Sequence, residues 1–213
     1  AGATSVTSGA TLDLNGITLG TTEGLTLNGY RLNNNGALIN SSSSTAVTYS
    51  GAITLGSASY MGGPGTMTIS GAFGTGSLAF VNGGSFTLSS ATNQLSTITS
   101  SGAASLTLNN NASLSIGTVG AITSMSFTGD VSLNVTGTIT MNGFTVQKNG
   151  TGDSTLTFKA TERDNFWHGS NQIKTDTATG TGKLNLVFWA ESDGGSAYGT
   201  TLAGTFTTNG GLI

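Results

Sequence analysis

A three-residue unit, apolar–polar–apolar, recurs along the chain and constrains its fold more than any other feature. It reads Leu25-Thr26-Leu27, Val47-Thr48-Tyr49, Met67-Thr68-Ile69, Phe86-Thr87-Leu88, Leu106-Thr107-Leu108, Leu133-Asn134-Val135, Leu156-Thr157-Phe158 and Leu184-Asn185-Leu186. The interval between successive units varies, but it stays within the range of solenoid repeats. Alternation with a period of two sends one face of each unit inward and the other outward. Between units, clusters such as Asn33-Asn34-Asn35-Gly36 and Gly62-Gly63-Pro64-Gly65 supply turn conformations. A short strand that keeps returning cannot bury its apolar face alone and must stack on its neighbours. The spacing predicts an all-β chain, a parallel β-helix (β-solenoid) of about eight to ten coils of roughly 20–28 residues, with stacked strands about 4.8 Å apart. An antiparallel sandwich or a fibre-like β-structure also fits such alternation. In the helical reading Leu25, Met67, Phe86, Leu106, Leu133 and Leu156 form one inward column, and Thr26, Thr68, Thr87 and Thr107 face out.

Composition removes the alternatives to β-structure. Gly, Thr, Ser and Asn fill more than half of the chain's positions. Gly is about 1 kcal/mol worse than Ala in a helix interior, and Ser, Thr and Asn compete for the backbone, so helix is disfavoured. Disordered chains are rich in charge and Pro, whereas this one is poor in both and has a single Pro. Six Lys/Arg against nine Asp/Glu cannot neutralise a row of phosphates, so no nucleic-acid partner is expected. No apolar run approaches the roughly 20 residues of a membrane helix, and no membrane insertion is expected. Without Cys there is neither a disulfide framework nor a thiolate metal site. One His, His168, leaves little room for imidazole chemistry. No cofactor is implied.

Charge divides the chain unevenly. No Lys, Arg, Asp or Glu occurs between Arg31 and Asp130, while the segment from Lys148 to Ile213 holds most of the charged side chains. We therefore divide the chain into residues 1–160, neutral Thr/Ser/Gly-rich coils, and residues 161–213, continuing coils with a charged, aromatic-bearing loop region. Open edges on an uncharged β-segment invite aggregation. Neither end reads as a polar or helical cap, so the expected partners are further coils of a longer parent chain or like subunits.

The most specific stretch is Gly182-Lys183-Leu184-Asn185-Leu186-Val187-Phe188-Trp189-Ala190-Glu191-Ser192-Asp193-Gly194-Gly195, followed by Thr208-Asn209-Gly210-Gly211-Leu212-Ile213. It resembles the recurring unit of filamentous-haemagglutinin-like exoproteins, bacterial surface adhesins exported by two-partner secretion. That unit carries a strand and loop of the form G-x-L-N-V-x-L-x-A-D-S-D-G and then a strand ending in T-N-G-G. Glu191 stands where the family commonly has Asp. The resemblance implies a right-handed parallel β-helix, an extracellular location on the bacterial cell surface, and adhesion or biofilm attachment without catalysis.

Two stretches gather the chain's aromatic and charged residues: Thr161 to Gly169, and Trp189 to Tyr198. A ring packed on the apolar face of a sugar, with polar groups taking its hydroxyls, is how a glycan site is built. Trp167, His168, Trp189, Tyr198 and Asp164 are the candidates for such a face, and surface or matrix glycans are the corresponding partners. The alternative for Phe166 and Trp167 is a loop covering the core edge. Glu162 with Asp164, and Glu191 with Asp193, are the local carboxylate pairs that glycoside cleavage would need. Glu191 and Asp193 are also weak candidates for a calcium loop, lacking the dense Asp/Asn alternation of a hard-cation site. Asn40, Asn111, Asn134 and Asn149 fall in Asn-x-Ser/Thr sequons. The Thr ladder keeps only its middle column constant, so it reads as structural rather than as an ice-matching plane. The sequence thus points to a non-enzymatic structural segment of a secreted surface adhesin; the alternative is a carbohydrate-binding or carbohydrate-cleaving β-helix protein.

Overall fold

The computed structural model describes residues 2–20, 22–30, 35–166, 168–176, 181–191 and 199–213. Every regular element among them is a β-strand, and no helix is long and apolar enough to cross a membrane. Each strand ladder between described residues is parallel. An isolated antiparallel bridge joins Val119 and Ile122.

The recurring unit builds the most regular layer, a seven-stranded sheet. It runs from Val47–Tyr49 through Met67–Ile69, Ser85–Leu88, Ser105–Asn110, Val131–Val135 and Ser154–Ala160 to Leu184–Trp189. Parallel neighbours need a long crossover, and here each crossover is itself made of strands. After Val131–Val135 the chain forms Ile139–Met141 and Thr145–Lys148 before returning at Ser154–Ala160. Those intervening strands stack in turn into a thirteen-stranded sheet. Strands visiting the sheets in rotation and pairing in parallel are consistent with a β-solenoid.

Facing follows the two-residue period. Met67, Phe86, Leu106, Val131, Leu156 and Leu186 stand one upon the next, all buried. Tyr49, Ile69, Leu88, Leu108, Leu133 and Phe158 form a second inward column beside it. Between the two, Thr48, Thr68, Thr87, Thr107, Ser132 and Thr157 point outward, exposed or half-buried. The inward side chains join into one continuous apolar cluster along the chain.

Two members of the expected column stand elsewhere. Leu133 lies two residues along, on Leu108 and under Phe158, and Val131 takes the place beside Leu106. A slip of two residues leaves every side chain on its own face, so alternation alone does not fix it. Leu25 pairs with Thr4 and with Ile53, in a separate three-stranded sheet of Thr4–Val6, Leu25–Leu27 and Ile53–Leu55. Ile53-Thr54-Leu55 repeats the apolar–Thr–apolar pattern as well as Val47-Thr48-Tyr49 does, and it is the one Leu25 meets.

Buried amides tie the layers at the corners. The Asn93 Oδ1 accepts from the Phe73 N–H at 2.8 Å, while its Nδ2 donates to the Ser90 carbonyl at 3.0 Å and the Asn109 carbonyl at 2.9 Å. Asn40 serves similarly, accepting from the N–H groups of Gly16 and Ser42 and donating to the Thr45 and Thr66 carbonyls. Its side chain is therefore fully committed inside the protein. Backbone groups that no strand can pair at a corner are satisfied in this way.

Candidate functional site

Strand alternation places another outward column at the carboxyl ends of four stacked strands: Asn109, Asn134, Lys159 and Trp189. The Asn134 Nδ2 donates to the Asn109 Oδ1 at 3.2 Å, and the Asn109 Nδ2 donates to the Ser89 carbonyl at 3.1 Å. Each amide thus keeps unused capacity toward solvent. The Lys159 Nζ lies 4.4 Å from the Trp189 ring centroid, a cation–π contact that orients both side chains. Trp189 is 52% exposed, an unusual position for a residue with this much apolar surface. Val187, on the same face of that strand, is also exposed.

Beside this column runs a groove of about 270 Å³, lined by Asn109, Asn134, Thr136, Lys159 and Thr161 among others. Its walls offer amide, hydroxyl and ammonium groups along successive layers. Among the described residues, Lys159 is its single charged side chain.

Asp164 is not on this surface. It is 0% exposed and occupies an inward position between Ile139 on one neighbouring strand and Thr200 on the other. Neither carboxyl oxygen has a hydrogen-bond partner among the described residues. Burial pushes its pKa up to about 7, and the nearby Thr200 hydroxyl and Trp189 backbone offset only part of that penalty. The loss of water dominates because neither group reaches full hydrogen-bond geometry. The expectation of Asp164 on a glycan-facing surface is corrected: a carboxyl sealed in the interior cannot touch a sugar. The Glu162–Asp164 pair is split by the same burial, since Glu162 is exposed and its Oε2 accepts from the Thr138 hydroxyl at 3.0 Å.

His168 is exposed on a turn, with its Nδ1 2.6 Å from the Ser170 hydroxyl. Glu191 is half-buried with φ at 53°, a left-handed conformation uncommon for Glu. No group of three or more His, Cys, Asp or Glu able to hold a metal ion occurs among the described residues. Trp167, Tyr198 and Asp193 lie outside the described residues. Phe166 is buried against Phe158 and Phe188, so it belongs to the core.

Of the expected site residues that are described, Trp189 is brought to the groove through its contact with Lys159. Lys159 and Asn109 join it although no motif in the sequence marks them as a site, and so does Asn134, which the sequence singles out only as a sequon. Their signal was equal spacing: the interval from Asn109 to Asn134 is the same as that from Asn134 to Lys159. No family model, no curated protein and no solved structure matches the chain.

Proposed function

We propose that the chain is a structural, non-enzymatic segment of a secreted bacterial surface adhesin, a rigid right-handed β-helical shaft that carries binding regions away from the cell. The observation supporting this is the uninterrupted run of seven parallel strands from Val47–Tyr49 to Leu184–Trp189, stacked on a continuous apolar column. Stacking of this kind makes length the product of the fold, at about 4.8 Å per layer. A chain so built transmits force along its axis through backbone hydrogen bonds and needs no charge on most of its faces. The Gly182–Gly195 and Thr208–Ile213 stretches resemble filamentous-haemagglutinin-like repeats and support export to the cell surface. In this reading further coils or like subunits continue the shaft.

Protease shaving of intact producing cells tests the proposal. Release of peptides from this chain, with a cytosolic marker retained, is expected, as is reduced attachment when the chain is deleted. Recovery of the chain only after cell lysis would sink it. A carbohydrate-binding role is the second reading, and the groove beside Lys159 and Trp189 is what favours it. Cleavage draws no support from Glu162 and Asp164, because Asp164 is sealed from substrate.

A further inference from the structure

We infer that the groove along Asn109, Asn134 and Lys159 binds a carboxylated glycan, a short run of uronic-acid residues, with Trp189 as its stacking platform. This does not rest on the shaft reading: a shaft without this groove would still be a shaft.

Four features select that ligand. The groove is elongated across stacked layers, and it offers hydrogen-bonding groups at each: the Asn109 and Asn134 amides, the Thr136 and Thr161 hydroxyls, and the Lys159 ammonium. A polymer of hydroxyl-bearing rings presents partners at every step, whereas a compact apolar ligand would leave these groups unpaired. Second, the exposed Trp189 ring supplies the flat apolar surface on which a pyranose face packs. Third, among the described residues Lys159 forms no ion pair; its ammonium is held by the Trp189 ring, 4.4 Å from the centroid. A cation oriented by an aromatic face and paired with no carboxylate of the described residues is complementary to an anion, and among the described residues Lys159 is the one charge lining the groove. Finally, at about 270 Å³ the groove holds a sugar unit or two rather than a folded partner. Carboxylate on Lys159, hydroxyls on the two amides and a ring face on Trp189 satisfy all of these groups together.

Titration of the full chain with a galacturonate tetramer, followed by calorimetry and Trp fluorescence, tests the assignment. Binding at millimolar concentration or tighter is expected, weakening as salt rises, with little binding of the neutral galactose tetramer. K159Q is expected to lower affinity about tenfold or more and to flatten the salt dependence, and W189A to lower it by a similar factor. T155A, on the same sheet but outside the groove, leaves affinity unchanged. Melting temperatures of all variants confirm that each remains folded. A sulfated oligosaccharide forms the second arm, and weaker binding than the galacturonate is expected. The assignment is overturned by absence of galacturonate binding, by equal binding of the neutral tetramer, by stronger binding of the sulfated one, or by unchanged affinity in folded K159Q.

Discussion

Asp164 stands directly beside Ile139 in the parallel stack, so that a carboxyl group continues an inward column begun by Leu114 and Ile139. Both of those residues are buried aliphatics, and a charge beside them faces a low-dielectric surrounding. The protein accommodates it by holding the proton: the carboxyl titrates near 7 instead of near its ordinary 3.8.

The sign of the resulting pH dependence is opposite to that of a paired surface carboxylate. Below an unfolded-state pKa of about 3.9, Asp164 is protonated in both states and contributes no pH dependence. Between about 4 and 7 the folded state retains a proton that the unfolded chain has released, so stability falls as pH rises, by at most about 1.4 kcal/mol per pH unit. Above about 7 the full penalty persists. Urea unfolding at intervals from pH 4 to pH 8 is expected to show this decline, and D164N to remove most of it. D164I, which continues the aliphatic column, is expected to be more stable than the parent at pH 8. A parent and D164N with the same pH profile would show that Asp164 is not the cause.

The Met67–Leu186 column makes a second expectation. Leu106 is fully buried between Phe86 and Val131, whereas Thr107, its neighbour in sequence, is exposed. L106A is expected to cost about 2–5 kcal/mol, and T107S well under about 1 kcal/mol. Equal costs in a denaturant series would contradict the facing of this strand.

Facing was legible from the sequence because period-two alternation survives every slip by two. Register was not, for the same reason. Placing Leu133 beside Leu106 made the two intervals on either side of that unit unequal, and this hid the constant interval that links Asn109, Asn134 and Lys159. The groove was therefore invisible as a column although all three residues were in plain view. Asp164 illustrates a different conflict. It is two residues from Phe166, and alternation sends both inward if either is inward, but charge argues for the surface. Packing of Phe166 on Phe158 and Phe188 set the strand's orientation and carried Asp164 with it. Lys148 follows Val146 inward by the same parity, and its buried ammonium donates to the Gly150 carbonyl at 2.8 Å. The aromatic candidates Trp167 and Tyr198 gave no such lesson, because they lie outside the described residues.

The corner amides are expected to matter more than their polarity suggests. Asn93 links the strand layer of Phe73 to that of Asn109 through one side chain. N93A leaves the buried Phe73 N–H and two carbonyls without these partners, at an expected cost of about 1–3 kcal/mol for each group that water cannot reach. Q94A, at the exposed neighbouring position, is expected to stay within about 0.5 kcal/mol of the parent. Thermal unfolding of the two variants side by side checks the difference, and a mild effect of N93A would mean that the corner relaxes or admits water.

Close stacking leaves no room for a side chain at some turns, and Gly71 is the clearest case. It follows the strand Met67–Ile69, and a Cβ built there would run into the Gly51 carbonyl of the layer beneath. Gly51 repeats the relationship one layer further, against the Glu23 carbonyl. Gly71 and Gly51 are absent from the left-handed region that distinguishes Gly16 or Gly63. Space rather than backbone conformation is what requires glycine. The obstructing atom is a main-chain oxygen, and the two layers are pinned on either side of it by the Ser70 N–H donating to the Tyr49 carbonyl and the Gly74 N–H donating to the Ile53 carbonyl. It cannot swing aside as a flexible side chain would. G71A is therefore expected to cost about 1–3 kcal/mol, as other overpacked sites do. Gly152 provides the comparison: it is exposed, a Cβ there would meet nothing within 4 Å, and no left-handed φ is involved. G152A is expected to be neutral or to stabilise by about 0.4–1 kcal/mol, by restricting the unfolded chain. G71A is expected to melt below the parent and G152A at or above it; a G71A protein that melts at or above the parent temperature would show that these layers are not in the close contact the stack requires.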